Sequence, residues 1–302
     1  MPEVLRHVTF SGRLVMPKKD ALQQNWRDNI IKALIYMVLD ISIVLAVSIM
    51  LFYWFAGKAV APYQRPFPCG DDSLKRPFKP NTVGLKHLLA ISLGSPFFVI
   101  VIVEGILFYK SLGINRLSKF FATTTLVYMK YLLTYALCTF IMEYLKCSVG
   151  RMRPHFVEVC NPDWKNIKCD SLDKIIQPED MICTNPDKHR IRTARTSFPS
   201  GHTAAAFHLL IFLFIYLNRM SSHTRVAEIS FFRWLVLPTY TVWTLFTAIT
   251  RVTDFWHFPT DVLGGIILAA CCVIPVFFTS WRSTSEIYAP RDIVPDDSIK
   301  LD

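Results

Sequence analysis

A chain of 302 residues with 52% hydrophobic and 14% aromatic content carries more apolar surface than a soluble domain of its size buries. The formal net charge of +10 does not mark a nucleic-acid binder, because the cations are spread over tails, loops and helix ends with no basic stripe interleaved with aromatics. A bilayer is the expected solvent, and the apolar matter falls in six blocks near the ~20 residues that a helix needs to cross ~30 Å of hydrocarbon.

The leader, residues 1–28, is polar and carries Arg6, Arg13, Lys18, Lys19 and Arg27, so it reads as a cytoplasmic tail before an uncleaved first anchor. Helical spans are predicted over Leu34–Phe55, Leu88–Tyr109, Phe120–Leu145, Thr203–Leu217, Arg233–Thr250 and Thr260–Trp281, the fourth and fifth extended by their polar flanks. Lys110, Arg116 and Lys119 between the second and third spans, with Arg219 and Arg225 after the fourth, place both termini in the cytoplasm by the positive-inside tendency. The first and third outer loops also carry Lys and Arg, although a long loop such as the third crosses the membrane largely regardless of charge. The expected fold is an all-α, multi-pass integral membrane protein with one six-helix domain over 29–281, an outer loop at 146–199 that contributes to its site, and a second cytoplasmic tail at 282–302. Asp40, Glu104 and Lys130 lie inside apolar blocks and are expected to face the bundle as packing features.

Three polar clusters stand at the ends of these blocks: Lys146 with Arg153-Pro154; Pro199-Ser200-Gly201-His202; and Arg251 with His257 and Asp261. With six spans, all three emerge on one face, opposite both termini. Lys146 and Arg153 are seven apart, two turns, so a helix continued past the third span would project both from one side. Arg forks and a Lys point charge suit the three equatorial oxygens of a transferring phosphoryl group, and Arg251 adds a third cation. Ser200 is a natural N-cap, Gly201 lets a ligand approach the backbone, and the first-turn N–H groups form an anion site beside His202, which is placed to protonate a departing alkoxide. His257 and Asp261 are four apart, so the carboxylate can accept one ring N–H and leave the other nitrogen free to attack phosphorus. Each cluster alone has a bland alternative: snorkelling cations, helix-start punctuation, or a local His-Asp bond.

Taken jointly, Lys146-x6-Arg153-Pro154, Pro199-Ser200-Gly201-His202 and Thr250-Arg251-x5-His257-x3-Asp261 resemble the three-part signature of the type 2 phosphatidate phosphatase superfamily. The six spans and the run from Lys146 to Phe156 are similar to its lipid phosphate phosphatase branch. That resemblance implies metal-independent hydrolysis of phosphatidate, lysophosphatidate, sphingosine 1-phosphate and ceramide 1-phosphate at the cell exterior or an organelle lumen, the plasma membrane first. It implies His257 as the nucleophile of a phosphohistidine, Asp261 as its orienter and His202 as the acid. It further implies Lys146, Arg153, Arg251, Ser200 and the Gly201 backbone as the phosphate cradle. Thr250 stands where the family usually has Ser.

Four of the eight cysteines, Cys69, Cys160, Cys169 and Cys183, fall in outer loops and suit disulfides, with three full pairings open. No cofactor is expected, and zinc is disfavoured because cysteines and histidines show no paired ligand spacing. The expected partners are lipid phosphates and the membrane, not nucleic acid; a homo-oligomer is left open. Two other functions fit the same clusters: a catalytically silent relative that binds or translocates lipid phosphates, and a lipid phosphotransferase.

Overall fold

The computed structural model of the chain describes residues 60–111, 116–165, 167, 169 and 171–285, with 277–285 as backbone only, and isolated positions between 31 and 50. In chain order the helices are α1 (Leu85–Lys110), α2 (Arg116–Val149), α3 (Phe156–Cys160), α4 (Lys188–Ala194), α5 (Gly201–Thr224), α6 (Ala227–Thr253) and α7 (Pro259–Ser285). A two-residue antiparallel pair, β1 (Phe67–Pro68) and β2 (Ile175–Ile176), joins the loop before α1 to the loop between α3 and α4, with Phe67 opposite Ile176.

Among the described residues four helices are long and apolar enough to cross a membrane: α1, α2, α5 and the Pro259–Val276 part of α7. The fifth predicted span lies on α6, which is as long but richer in threonine. Its Thr239 and Thr241 hydroxyls bond the Leu235 and Leu237 carbonyls one turn back, which hides them from an apolar surround. In the first predicted span, Ile35, Val38, Leu39, Ser42, Ile43, Ala46, Ile49 and Met50 are helical and exposed and Leu45 is helical and packs against the core; the other residues of that block, Asp40 included, lie outside the described residues. Tail 1–28 also lies outside them, as does 286–302 of the C-terminal tail.

A proline shapes α1. Pro96 has no N–H, so the Ser92 carbonyl loses its partner four residues on, and the backbone widens into a π-turn over Ala90–Gly94. Two tyrosines of α2 fill the gap: Tyr131 donates to the Ser92 carbonyl and Tyr128 to that of Leu93 at 2.8 Å. In a bilayer no water could do this, so the broken ladder requires α2 alongside. Glu104, 2% exposed, accepts from Thr123 Oγ1 at 2.8 Å and Tyr216 Oη at 3.1 Å, so it ties α1 to α2 and α5 as a packing feature.

α5 is the central helix, with Leu209, Phe212, Leu213, Tyr216 and Leu217 fully buried among α1, α2 and α6. Gly265 lets α7 cross its start: a Cβ there would lie 2.7 Å from the Ser200 carbonyl oxygen and 3.1 Å from Ala204 N. The 34 residues of α2 span about 51 Å, more than the hydrocarbon needs, so its last turn carries Lys146 beyond the apolar layer. A loop cap with its own core, including Phe67, Leu74, Met152, Phe156 and Met181, covers this end. Disulfides Cys69–Cys169 and Cys160–Cys183 close that cap, one of the three pairings the sequence leaves open.

Candidate active site

The three clusters converge under the cap at one end of the bundle. Lys146 and Arg153 do not share a helix face, as their spacing suggested. α2 ends at Val149, and Gly150 turns the chain with φ of +57°, where a Cβ would fall 1.8 Å from the Tyr63 carbonyl oxygen. Arg153 therefore reaches in from a loop, anchored by its N–H on the Ala194 carbonyl at 2.8 Å. Lys146 Nζ pairs with Glu143 Oε1 at 2.7 Å and borders Gly201, whose missing Cβ would stand 3.2 Å from it.

Ser200 caps α5, accepting from Thr203 N at 3.4 Å, and its own N–H donates to the Asp261 carbonyl at 3.0 Å. One backbone bond thus joins the second cluster to the third. His202 follows in the first turn with Nε2 3.1 Å from the Val83 carbonyl oxygen. A carbonyl only accepts, so Nε2 carries the proton and Nδ1 is the ring nitrogen left for other chemistry. Lys146, Arg153, Arg251 and His257 all lie within electrostatic reach of this ring.

Pro259 opens α7 and puts Asp261 in its first turn, fully buried. A direct His257–Asp261 hydrogen bond, expected from their spacing, is not formed: Nδ1 and Oδ2 are 3.7 Å apart. Ser197 lies between them, donating to Asp261 Oδ2 at 2.6 Å with its oxygen 3.4 Å from His257 Nδ1. Asp261 also accepts from Phe258 N at 2.9 Å and from Arg151 Nη1 at 2.6 Å, which further reaches Thr260 Oγ1 at 2.7 Å. Burial pushes the His257 imidazole well below its usual value; the Arg153 charge adds to this and Asp261 opposes it, so the ring is neutral at pH 7.

Arg251, 1% exposed, is held by a segment with no motif: its Nη1 donates to Asn81 Oδ1 at 2.6 Å. Asp254, 3.5 Å from Arg251 Nη2, accepts from Thr82 N at 2.9 Å and Thr82 Oγ1 at 3.0 Å. The loop before α1 thereby walls the site through Asn81, Thr82 and Val83. Burial pushes the Arg153 guanidinium down to about 10, which still leaves it charged at neutral pH. Arg153 spends Nη2 on the Thr196 carbonyl at 3.2 Å and lies 4.9 Å over the Trp256 ring. The Nε–H groups of both Arg153 and Arg251 are buried without a hydrogen-bond partner among the described residues. Four cations, Lys146, Arg151, Arg153 and Arg251, face three carboxylates, Glu143, Asp254 and Asp261.

The residues of the three sequence clusters are thus at this end of the bundle. Residues that sequence reasoning missed are Glu143, Arg151, Ser197, Asn81 and Val83. Arg151 and Ser197 adjoin the recognised clusters and had that adjacency as a signal; the loop residues had none.

A match to the PAP2 superfamily covers residues 127–285, from the middle of α2 through α7. The chain is 28% identical to human phospholipid phosphatase 2 over 258 residues, covering 81% of this chain and 84% of that protein. It is 29% identical to rat phospholipid phosphatase 1 over 258 residues, covering 83% and 87%. No solved structure matches it. With its clusters assembled within the matched region, the chain belongs to the PAP2 superfamily, in its lipid phosphate phosphatase branch.

Proposed function

We propose that the chain is a metal-independent lipid phosphate phosphatase working through a phosphohistidine. The observation that carries this is the pair of buried Nε–H donors on Arg153 and Arg251, charged groups desolvated in place and lacking the acceptor that an anion's oxygens would supply. Lys146 and the N–H groups at the start of α5 complete a cradle for a phosphate.

In the reaction, neutral His257 is the nucleophile. With Nδ1–H directed at the Ser197 oxygen, and Ser197 donating to Asp261, Nε2 holds the lone pair that attacks phosphorus. A P–N bond forms as the P–O bond to the lipid alcohol breaks. His202, protonated, keeps Nε2–H on Val83 and gives its Nδ1 proton to the leaving alkoxide. Neutral again, it takes a proton from the water that attacks the phosphohistidine, so the P–N bond breaks, inorganic phosphate leaves and both rings are restored.

The substrates are phosphomonoesters of lipid alcohols: phosphatidate, lysophosphatidate, sphingosine 1-phosphate and ceramide 1-phosphate. The two described relatives, both named phospholipid phosphatases, support this class. Both cystines lie in the cap over the site and persist only in an oxidising compartment, which supports a site on the extracellular or lumenal side of a six-span protein with cytoplasmic termini. The test is phosphate release from phosphatidate in mixed micelles with a metal chelator present. Wild type should turn over and His257→Ala should not; a folded but silent wild type would leave a lipid-phosphate binding protein instead.

A further inference from the structure

His257 is presented by a turn that a non-glycine chain rarely adopts. Phe255 has φ of +60°, and both Trp256 N and His257 N fold back onto the Arg251 carbonyl at 3.1 and 3.0 Å. The carbonyl of Phe255 takes its partner from another segment: His155 Nδ1, 2.8 Å away. That nitrogen carries the proton, because a carbonyl only accepts. His155 is 1% exposed, its ring set edge-on against Trp256 with centroids 4.9 Å apart and against Phe78 at 5.2 Å. Trp256 in turn donates Nε1–H to the Lys79 carbonyl at 2.9 Å and lies under the guanidinium of Arg153, two residues before His155. The loop that supplies a phosphate cation and the turn that supplies the imidazole are therefore strapped to each other twice, by one hydrogen bond and one cation–π contact.

We propose that His155 is a positioning residue: its Nδ1–H on the Phe255 carbonyl holds the left-handed turn and so fixes where His257 stands relative to Arg153. This rests on the phosphoryl-transfer reading above. Among the described residues no hydrogen bond or ion pair joins the His155 ring to the phosphate cradle, so its loss should act on the approach of nucleophile to phosphorus more than on substrate capture. Without the bond, the part-buried Phe255 carbonyl loses its partner and the turn relaxes toward ordinary φ.

Three variants separate donor from ring. His155→Phe keeps an aromatic edge without the donor, His155→Asn places an N–H near where Nδ1 was, and His155→Gln places its amide near Nε2 instead. With rates normalised to monodisperse, folded protein, His155→Phe should lower kcat on the order of 100-fold with KM within about threefold. His155→Asn should recover most of kcat and His155→Gln should not. A His155→Phe variant within about threefold of wild type in kcat overturns the proposal. So do Asn and Gln variants impaired equally, and that pair alone decides the matter if the Phe variant does not fold. A wild type without turnover would instead overturn the phosphatase reading beneath it.

Discussion

Removing one hydroxyl tests how His257 is oriented. Ser197→Ala deletes the hydroxyl that bridges the Asp261 carboxylate and the His257 ring, which are 3.7 Å apart. Asp261 keeps Arg151 at 2.6 Å and Phe258 N at 2.9 Å, so the buried charge is not abandoned and the protein should fold. A hydrogen bond to a charged group contributes about 1.5–3 kcal/mol. If that is lost entirely from the transition state, at ~1.4 kcal/mol per tenfold, kcat falls roughly 10- to 150-fold. KM should change little, since Ser197 holds none of the phosphate cations. The assay is steady-state phosphate release from a short-chain phosphatidate in micelles, for Ser197→Ala, Asp261→Asn and the double variant. Because Ser197 and Asp261 act through one chain of bonds, the double should be no slower than Asp261→Asn alone. Ser197→Ala within about twofold of wild type in kcat, beside an inactive Asp261→Asn, would refute the bridge and leave Asp261 acting directly.

Three further outcomes are expected. On pH, the His257 imidazole is depressed below 6.5, so the nucleophile stays neutral until the pH falls through that lowered value, and the acid limb of kcat/KM should have its midpoint below pH 6.5; a midpoint at or above 6.5 contradicts it. His155 is pushed down to about 4 by burial, with the Arg153 charge adding to it. The folded protein therefore binds fewer protons than the unfolded chain between about pH 6.5 and 4, and stability falls by about 3 kcal/mol as pH drops through that window, measured as accelerated thermal inactivation. On the cap, Cys69–Cys169 closes a sequence separation of 100 residues and Cys160–Cys183 one of 23, with chain-entropy contributions of about 4.7 and 3.4 kcal/mol. A membrane-permeant reductant should lower the inactivation temperature, and an unchanged temperature after thiol labelling proves reduction would contradict that role.

The helices were readable because apolar runs near bilayer length have few other uses, and their ends were readable where a cap or a proline marked them, as at Ser200 and Pro259. The π-turn of α1 was signalled only by Pro96, and the answering tyrosines of α2 could not be paired with it before the helices were seen together. At the site, residue types carried the chemistry but not the geometry. Spacing alone put Arg153 on a helix that Gly150 in fact ends, and joined His257 to Asp261 where Ser197 intervenes. Asn81 and Val83 were invisible for a different reason: they contribute through an amide oxygen and a backbone carbonyl on a loop without periodicity. Cystine pairing was undetermined because closure depends on where the cap strands meet, which is a tertiary fact.

The most direct measurement is the covalent intermediate itself. Purified protein mixed for milliseconds with a lipid phosphate and quenched in base, which preserves phosphoramidates, should yield a peptide carrying one phosphoryl group on the His257 imidazole by mass spectrometry. The label should vanish in His257→Ala and build up in a His202 variant able to form the intermediate but slow to hydrolyse it. Turnover by wild type with no phosphoryl on His257 at any quench time, or equal turnover by His257→Ala, would contradict the assignment of residue 257 as nucleophile.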